Sequence, residues 1–270
     1  MSPKNGNDRA RRAIVLPLCA LALGITVSAA ATAADTAPPL DAAIESYRAA
    51  LAQDVERTVT GAETLRARIA ARDLVGAKQA WLEARVGWER SEVFTGGFVP
   101  DLDRDIDAWP NGTTGFHAIE ARLFGAEQTD VADETEALVR NLATLRTEVR
   151  GTALTAQGLL NGITRLAYEV GESKIDGGES RVSGTSIDDM RNNVAGIDLA
   201  WHTVFASALG ARDSAAAAEV QHRIDDLKTM FANADLRHLD PDRLRAASEQ
   251  LVLALQTAAP HLALSRPTLE

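Results

Sequence analysis

His117 and Glu120 stand one helical turn apart, so an imidazole and a carboxylate would project side by side from one helix face. Both groups are ligands for first-row transition metals. Alone, such a pair is a weak signal, because it arises by chance at ordinary glutamate frequencies. Two acidic groups lie upstream. Glu89 and Glu92 are again three apart, with Arg85 and Arg90 close enough in sequence to neutralise them, and spacing alone describes a solvated charged face equally well. Asp101, Asp103, Asp105 and Asp107 alternate like the start of a calcium loop. Ile106 stands at the sixth position, where an EF-hand requires glycine, so the calcium pattern fails. His202, His222, His238 and His261 have no glutamate three residues on and read as surface or packing histidines.

Other chemistries are poorly served. The chain has no His-Glu-x-x-His, no Gly-x-Ser-x-Gly elbow, no P-loop and no dinucleotide fingerprint. Its single cysteine, Cys19, falls in an amino-terminal stretch that reads as a leader: Lys4, Arg9, Arg11 and Arg12, then an apolar run from Ala13 to Val27, then Ala31-Thr32-Ala33. Cleavage is expected after Ala33 or Ala34. Leu18 before Cys19 is too large for a lipoprotein signal, and Arg11-Arg12 permits a twin-arginine route beside the general secretory one. The expected organisation is a signal peptide over 1–34, a linker over 35–39 and a helical domain over 40–265. The mature chain then offers no thiolate, so any metal must be held by nitrogen and oxygen. Formal net charge is −10 and becomes more negative once the leader is removed, which argues against nucleic acid and favours cations.

The elements that must position these residues are helical. Apolar residues make up 46% of the chain and aromatics only 4%, a composition suited to closely packed helices. Ile44, Tyr47, Leu51 and Val55 recur at spacings of three and four and predict a first helix from about Leu40 to Ala71. A second runs from about Leu74 to Phe94, with Trp81 and Trp88 on one face as core residues and Gly96-Gly97 as its end. A long loop then carries the aspartates and Trp109-Pro110-Asn111-Gly112 as far as Thr114, followed by a short helix over about Gly115–Phe124. Further helices are expected near Asp130–Arg150, Thr152–Lys174, Ile187–Leu209 and Ser214–Asn233. A last one is capped by Asp240 with Pro241 at its first position and ends near Pro260. Ile175–Thr185, rich in Gly and Ser, reads as a loop. No β-alternation appears, and the fold class is all-α: a helical bundle, with two four-helix bundles in tandem as the expected arrangement.

Taken in order, certain stretches resemble the imelysin-like peptidase family, and within it the EfeO branch of bacterial iron-uptake proteins. They are Trp88-Glu-Arg-Ser-Glu92, Asp101-Leu-Asp-Arg-Asp-Ile-Asp107, Thr114-Gly-Phe-His-Ala-Ile-Glu-Ala-Arg-Leu-Phe-Gly125, Gly158-Leu-Leu-Asn-Gly-Ile-Thr164, Glu169-Val-Gly-Glu-Ser-Lys-Ile175 and the region 188–196. The resemblance covers about residues 40–260. It implies helical bundles with a metal site bearing His-x-x-Glu, and an extracytoplasmic role beside a membrane iron permease and a haem-containing peroxidase. It matches the short form, sometimes called EfeM, that lacks a cupredoxin domain. The metal residues it implies are His117, Glu120, Glu89, Glu92, Asp107 and Asp189. Ser186 stands where the resemblance calls for an acid, and Val182 and Gly184 where it calls for tyrosine and histidine, so the second half of the site is expected to be altered. These ligands suit ferrous or ferric iron and also zinc, copper or manganese. Iron capture for a permease is thus the first functional expectation. The alternatives are a metallopeptidase and a metal-dependent, alginate-type polysaccharide binder, the latter disfavoured by the scarcity of aromatics for sugar stacking.

Overall fold

The computed structural model describes residues 40–107, 113–175, 179–232 and 239–269. These fall in one compact unit, residues 33–270. The leader, the Trp109–Gly112 motif and His238 lie outside the described residues. The described residues hold helices and turns and no strand. None of their helices is long and apolar enough to cross a membrane.

Helix α1 (Leu40–Ala70) buries Ile44, Tyr47, Leu51, Val55, Val59, Ala62, Leu65 and Ile69 on one stripe, the expected helical period. A three-residue turn brings back α2 (Leu74–Phe98), whose first turn is capped by the Asp73 carboxylate accepting from Gly76 N at 2.9 Å. α2 does not stop at Gly96-Gly97. It continues to Phe98 because Phe94 is buried and stacks on Phe98 at 5.4 Å, and this packing outweighs two glycines at about 1 kcal/mol each. The aspartate stretch is likewise not a loop. Pro100 at its first position and Asp101 and Asp103 in its first turn start a short helix, α3 (Pro100–Ile106), anchored by fully buried Ile106.

α4 (Gly115–Glu120) runs into a π-helical turn, Ala121–Gly125. Then follow α5 (Ala132–Gly151), α6 (Ala156–Glu172), α7 (Ser186–Ala200), a second π-helical turn (Trp201–Phe205), α8 (Ala206–Gly210), α9 (Ser214–Phe231) and α10 (Pro241–Ala258). Asp240 caps α10 by accepting from the amides of Asp242 and Arg243. α1, α2 and α5 pack together, as do α6, α7, α9 and α10, and the two groups meet where α2 lies against α6 and α7. The expected pair of bundles is therefore fused along α2. Gly196 of α7 makes that contact close: a Cβ there would stand 2.5 Å from the Arg90 carbonyl oxygen. α7 thereby sets its polar residues directly against the acidic face of α2.

Candidate metal centre

On α2, Trp81, Arg85, Trp88, Glu89 and Glu92 follow one helical face, and all five are buried. Trp81 and Trp88 are core residues, as expected, but each also serves the site. Trp81 Nε1 donates to the Phe116 carbonyl at 3.0 Å and holds α4 in place. Trp88 Nε1 donates to Asp107 Oδ2 at 2.6 Å. Asp107 is the residue at which α3 ends, and its other oxygen accepts from Arg85 Nη1 at 2.6 Å.

Gly115 opens α4 at φ +68°, where a Cβ would lie 2.1 Å from the Ile106 carbonyl oxygen. Only glycine lets the chain return so tightly onto the end of α3. That return sets His117 opposite Asp107, with Nε2 3.2 Å from Asp107 Oδ1. Gly115→Ala is expected to cost about 1–3 kcal/mol of stability from backbone strain alone. By moving α4 it should also displace His117 from Asp107; urea denaturation and the His117 ring signals in NMR of the same variant check both effects.

The two members of His-x-x-Glu have different surroundings. His117 Nδ1 lies 2.9 Å from Glu120 Oε2. Glu120 Oε1 accepts from both the amide and the hydroxyl of Ser183, each at 2.7 Å. Both Glu120 oxygens are thus engaged by protein groups. In the neutral ring, a carboxylate at Nδ1 keeps the remaining proton on that nitrogen and leaves the lone pair on Nε2, an arrangement typical of metal-ligating histidines. Nε2 is buried and makes no hydrogen bond, with Asp107 Oδ1 standing 3.2 Å from it.

Opposite α4 lies Glu179, which the sequence reading passed over. One oxygen each of Asp107 and Glu179 and a ring nitrogen of His117 all lie within 4.8 Å of one another. A second trio, Glu89, Glu92 and Glu179, meets the same limit, so Glu179 belongs to both. Metal–ligand bonds of about 2 Å place ligand atoms about 3–4 Å apart, so small side-chain adjustments suffice at either trio. Ser186, standing where an acid was expected, is buried and donates its hydroxyl to the Glu179 carbonyl. The acid on this side of the nest is Glu179, seven residues earlier. Val182 is half-exposed and Gly184 faces open space, while Ser183 between them reaches Glu120.

Asp189 is buried and pairs with Arg85 at 3.0 Å; it belongs to neither trio. Arg85 also reaches Glu179 at 3.1 Å and contacts Glu89. Arg90 turns away and pairs with Asp54 at 2.8 Å. A second buried cation, Lys174, follows α6 and contacts Glu89, Glu92 and Glu179. Asn193 of α7 donates to Glu89 Oε2 at 2.8 Å and also to Glu92. His202, His222 and His261 are all more than 40% exposed, in keeping with their reading as surface histidines. Asp101 is exposed, and Asp103, with its carboxyl pushed up to about 6 chiefly by burial, lies outside both trios.

Burial raises Glu89 well above the carboxylate range and pushes Glu92 up to about 7, with neighbouring carboxylates adding to the effect. Burial would raise Glu179 too, but Lys174 and Arg85 together hold it down at about 2. Burial would lower His117, yet Asp107 and the hydrogen bond to Glu120 raise it above its ordinary value. Glu120 is lowered despite burial, by His117 and Ser183. The nest therefore presents an ionised Glu179 and an imidazole whose proton an incoming cation would displace.

An all-α protein with a histidine and several carboxylates buried between packed helices is the class that this fold and site define. The chain belongs to the imelysin family, peptidase family M75: the family's model matches residues 43–113 and 110–262. It is 31% identical over 179 residues to the iron uptake system component EfeO of Escherichia coli K12, covering 63% of this chain and 48% of the relative. An Efem/EfeO family lipoprotein of Staphylococcus haemolyticus is 27% identical over 203 residues, covering 71% of this chain and 70% of the relative. The chain thus spans about half the length of the EfeO proteins it matches. A solved structure from Parabacteroides distasonis, described as an iron-regulated protein A precursor, superposes with a TM-score of 0.64 at 16% identity. It covers 85% of this chain and 97% of its own length, a likeness of fold.

Proposed function

We propose that this chain is an extracytoplasmic iron-binding component of an uptake system, holding iron at the Asp107–His117–Glu179 trio for transfer to a membrane permease with a haem peroxidase as companion. The observation that carries the reading is the buried Nε2 of His117, which makes no hydrogen bond, faces the carboxylates of Asp107 and Glu179, and is oriented from behind by Glu120. Kinship with proteins named as iron-uptake components supports iron as the cargo. Export follows from the leader, and the mature chain is expected to begin at Ala34 or Asp35, which amino-terminal sequencing of protein from its host checks.

Carriage is favoured over hydrolysis. A hydrolytic site needs a general base facing a metal-bound water, whereas both Glu120 oxygens already accept hydrogen bonds from the protein. The direct test is anaerobic titration of the purified chain with iron(II), alongside iron-limited growth of a host lacking the gene. Saturable binding and a growth defect reversed by added iron support the reading. Absence of both ferrous and ferric binding would refute it.

The raised pKa of His117 gives this binding a pH signature. A metal takes Nε2 only after the imidazolium loses its proton, so proton and metal compete. Affinity should fall by about tenfold for each unit that pH drops below the His117 pKa and level off above it. Calorimetry in two buffers of different ionisation enthalpy should report about one proton released per ion on the acid side.

A further inference from the structure

The second trio already holds a cation. Lys174 Nζ lies 3.2 Å from Glu89 Oε2, 2.8 Å from Glu92 Oε2 and 2.8 Å from Glu179 Oε2, so each carboxylate meets one ammonium hydrogen. The lysine is 4% exposed and stands just beyond the end of α6, its amide bonded to the Glu169 carbonyl at 3.2 Å. Glu179 bridges the two halves of the nest, with Oε1 toward Arg85 and Oε2 toward Lys174. Carboxylates shared in this way, together with a histidine, are how helical bundles build sites for two metal ions. Here one of the two places is taken by a side chain.

We propose that the Lys174 ammonium is a built-in cation that fills the Glu89–Glu92–Glu179 trio, so that the chain holds one metal ion, at Asp107, His117 and Glu179, where its ligands would otherwise hold two. The inference rests on the metal-binding reading above and adds a stoichiometry to it. The two trios differ in what a metal must displace. At Asp107–His117–Glu179 the ring nitrogen Nε2 makes no hydrogen bond, and the group nearest it, Asp107 Oδ1 at 3.2 Å, is itself a member of the trio. At Glu89–Glu92–Glu179 a metal would have to expel an ammonium that contacts every one of the three ligands. Arg85 does not block the first trio in the same way. It contacts Asp107 and Glu179 but not His117, and a carboxylate oxygen has lone pairs for more than one partner.

The test is ion stoichiometry. The purified chain, Lys174→Met and Lys174→Arg are loaded anaerobically with iron(II) and, separately, with manganese(II), desalted, and counted by elemental analysis against protein, with circular dichroism as the folding check. One ion in the wild type, two in Lys174→Met and one in Lys174→Arg support the proposal. Two ions in the wild type, or still one in a folded Lys174→Met, overturn it. If Lys174→Met does not fold, the wild type decides by reductive methylation before and after loading. Lys174 should stay unlabelled in both states, and labelling that appears only on loading shows the ammonium expelled and overturns the proposal. A wild type that binds neither ion refutes the metal-binding reading itself. In that case a gain of one ion in Lys174→Met still supports the plug, and no gain refutes it.

Discussion

His117→Ala is expected to weaken iron(II) binding by at least about 100-fold while leaving the helical signal intact. The ring supplies the only nitrogen among the two trios, and its loss leaves two carboxylates that Arg85 already contacts. Glu120→Gln should act in the same direction by about 10–100-fold, the usual effect of a residue that orients a metal ligand. The Ser183 amide can only donate, so the carbonyl of the new side-chain amide must turn toward it. The NH2 of that amide then faces His117 Nδ1, which has to become an acceptor, and the ring proton moves to Nε2, where the metal should bind. Glu120→Asp should do less, since it keeps the acceptor charge at the cost of reach. Calorimetry on the three variants gives the order. Metal-dependent proteolysis that Glu120→Gln abolishes while metal stays bound would replace the carrier reading with a hydrolytic one.

Residues whose neighbours lie along one helix were legible from sequence. The Ile44–Val55 spacing described α1, and the three-residue spacings of Glu89 with Glu92 and His117 with Glu120 correctly placed each pair on one helix. Gly96-Gly97 misled because local propensity says nothing of the Phe94–Phe98 stack that carries α2 onward. The aspartates looked like loop because α3 is only seven residues long, too short for periodicity to show. Glu179 was missed for a related reason: it sits in an irregular segment, where no period ties a side chain to a face, and the acid was expected at position 186. Lys174 lay within a quoted stretch, but a lysine in a metal site runs against the search for ligands. Its role appears only when α6, α2 and the 179–185 segment are seen to converge on three carboxylates.

Arg85 should be the most costly residue in the nest to remove. It lies 2% exposed and contacts Asp107, Glu179, Asp189 and Glu89. Removing one partner of a buried ion pair costs about 3–5 kcal/mol, because it strands the other charge. Here four carboxylates are left against Lys174 and His117. Arg85→Met is expected to lower Tm by about 10 °C, given about 2–4 °C per kcal/mol for a domain of this size. The sign of its pH dependence follows from the same charges. Without the guanidinium the buried carboxylates titrate above their unfolded values, so the folded variant binds more protons than the unfolded chain between those two ranges. Stability is then lost as pH rises through that window and recovered as it falls. Thermal melts of Arg85→Met should therefore improve on going from pH 7.5 to about pH 5.5, and the difference from wild type should narrow. A divalent cation should also raise the Tm of Arg85→Met at pH 7.5 more than it raises that of the wild type, since a ligand stabilises the state that binds it by an amount that grows with the logarithm of its affinity and the ion now meets no guanidinium. A variant equal to wild type in Tm across this range would mean that the carboxylates of the nest are already neutral without Arg85.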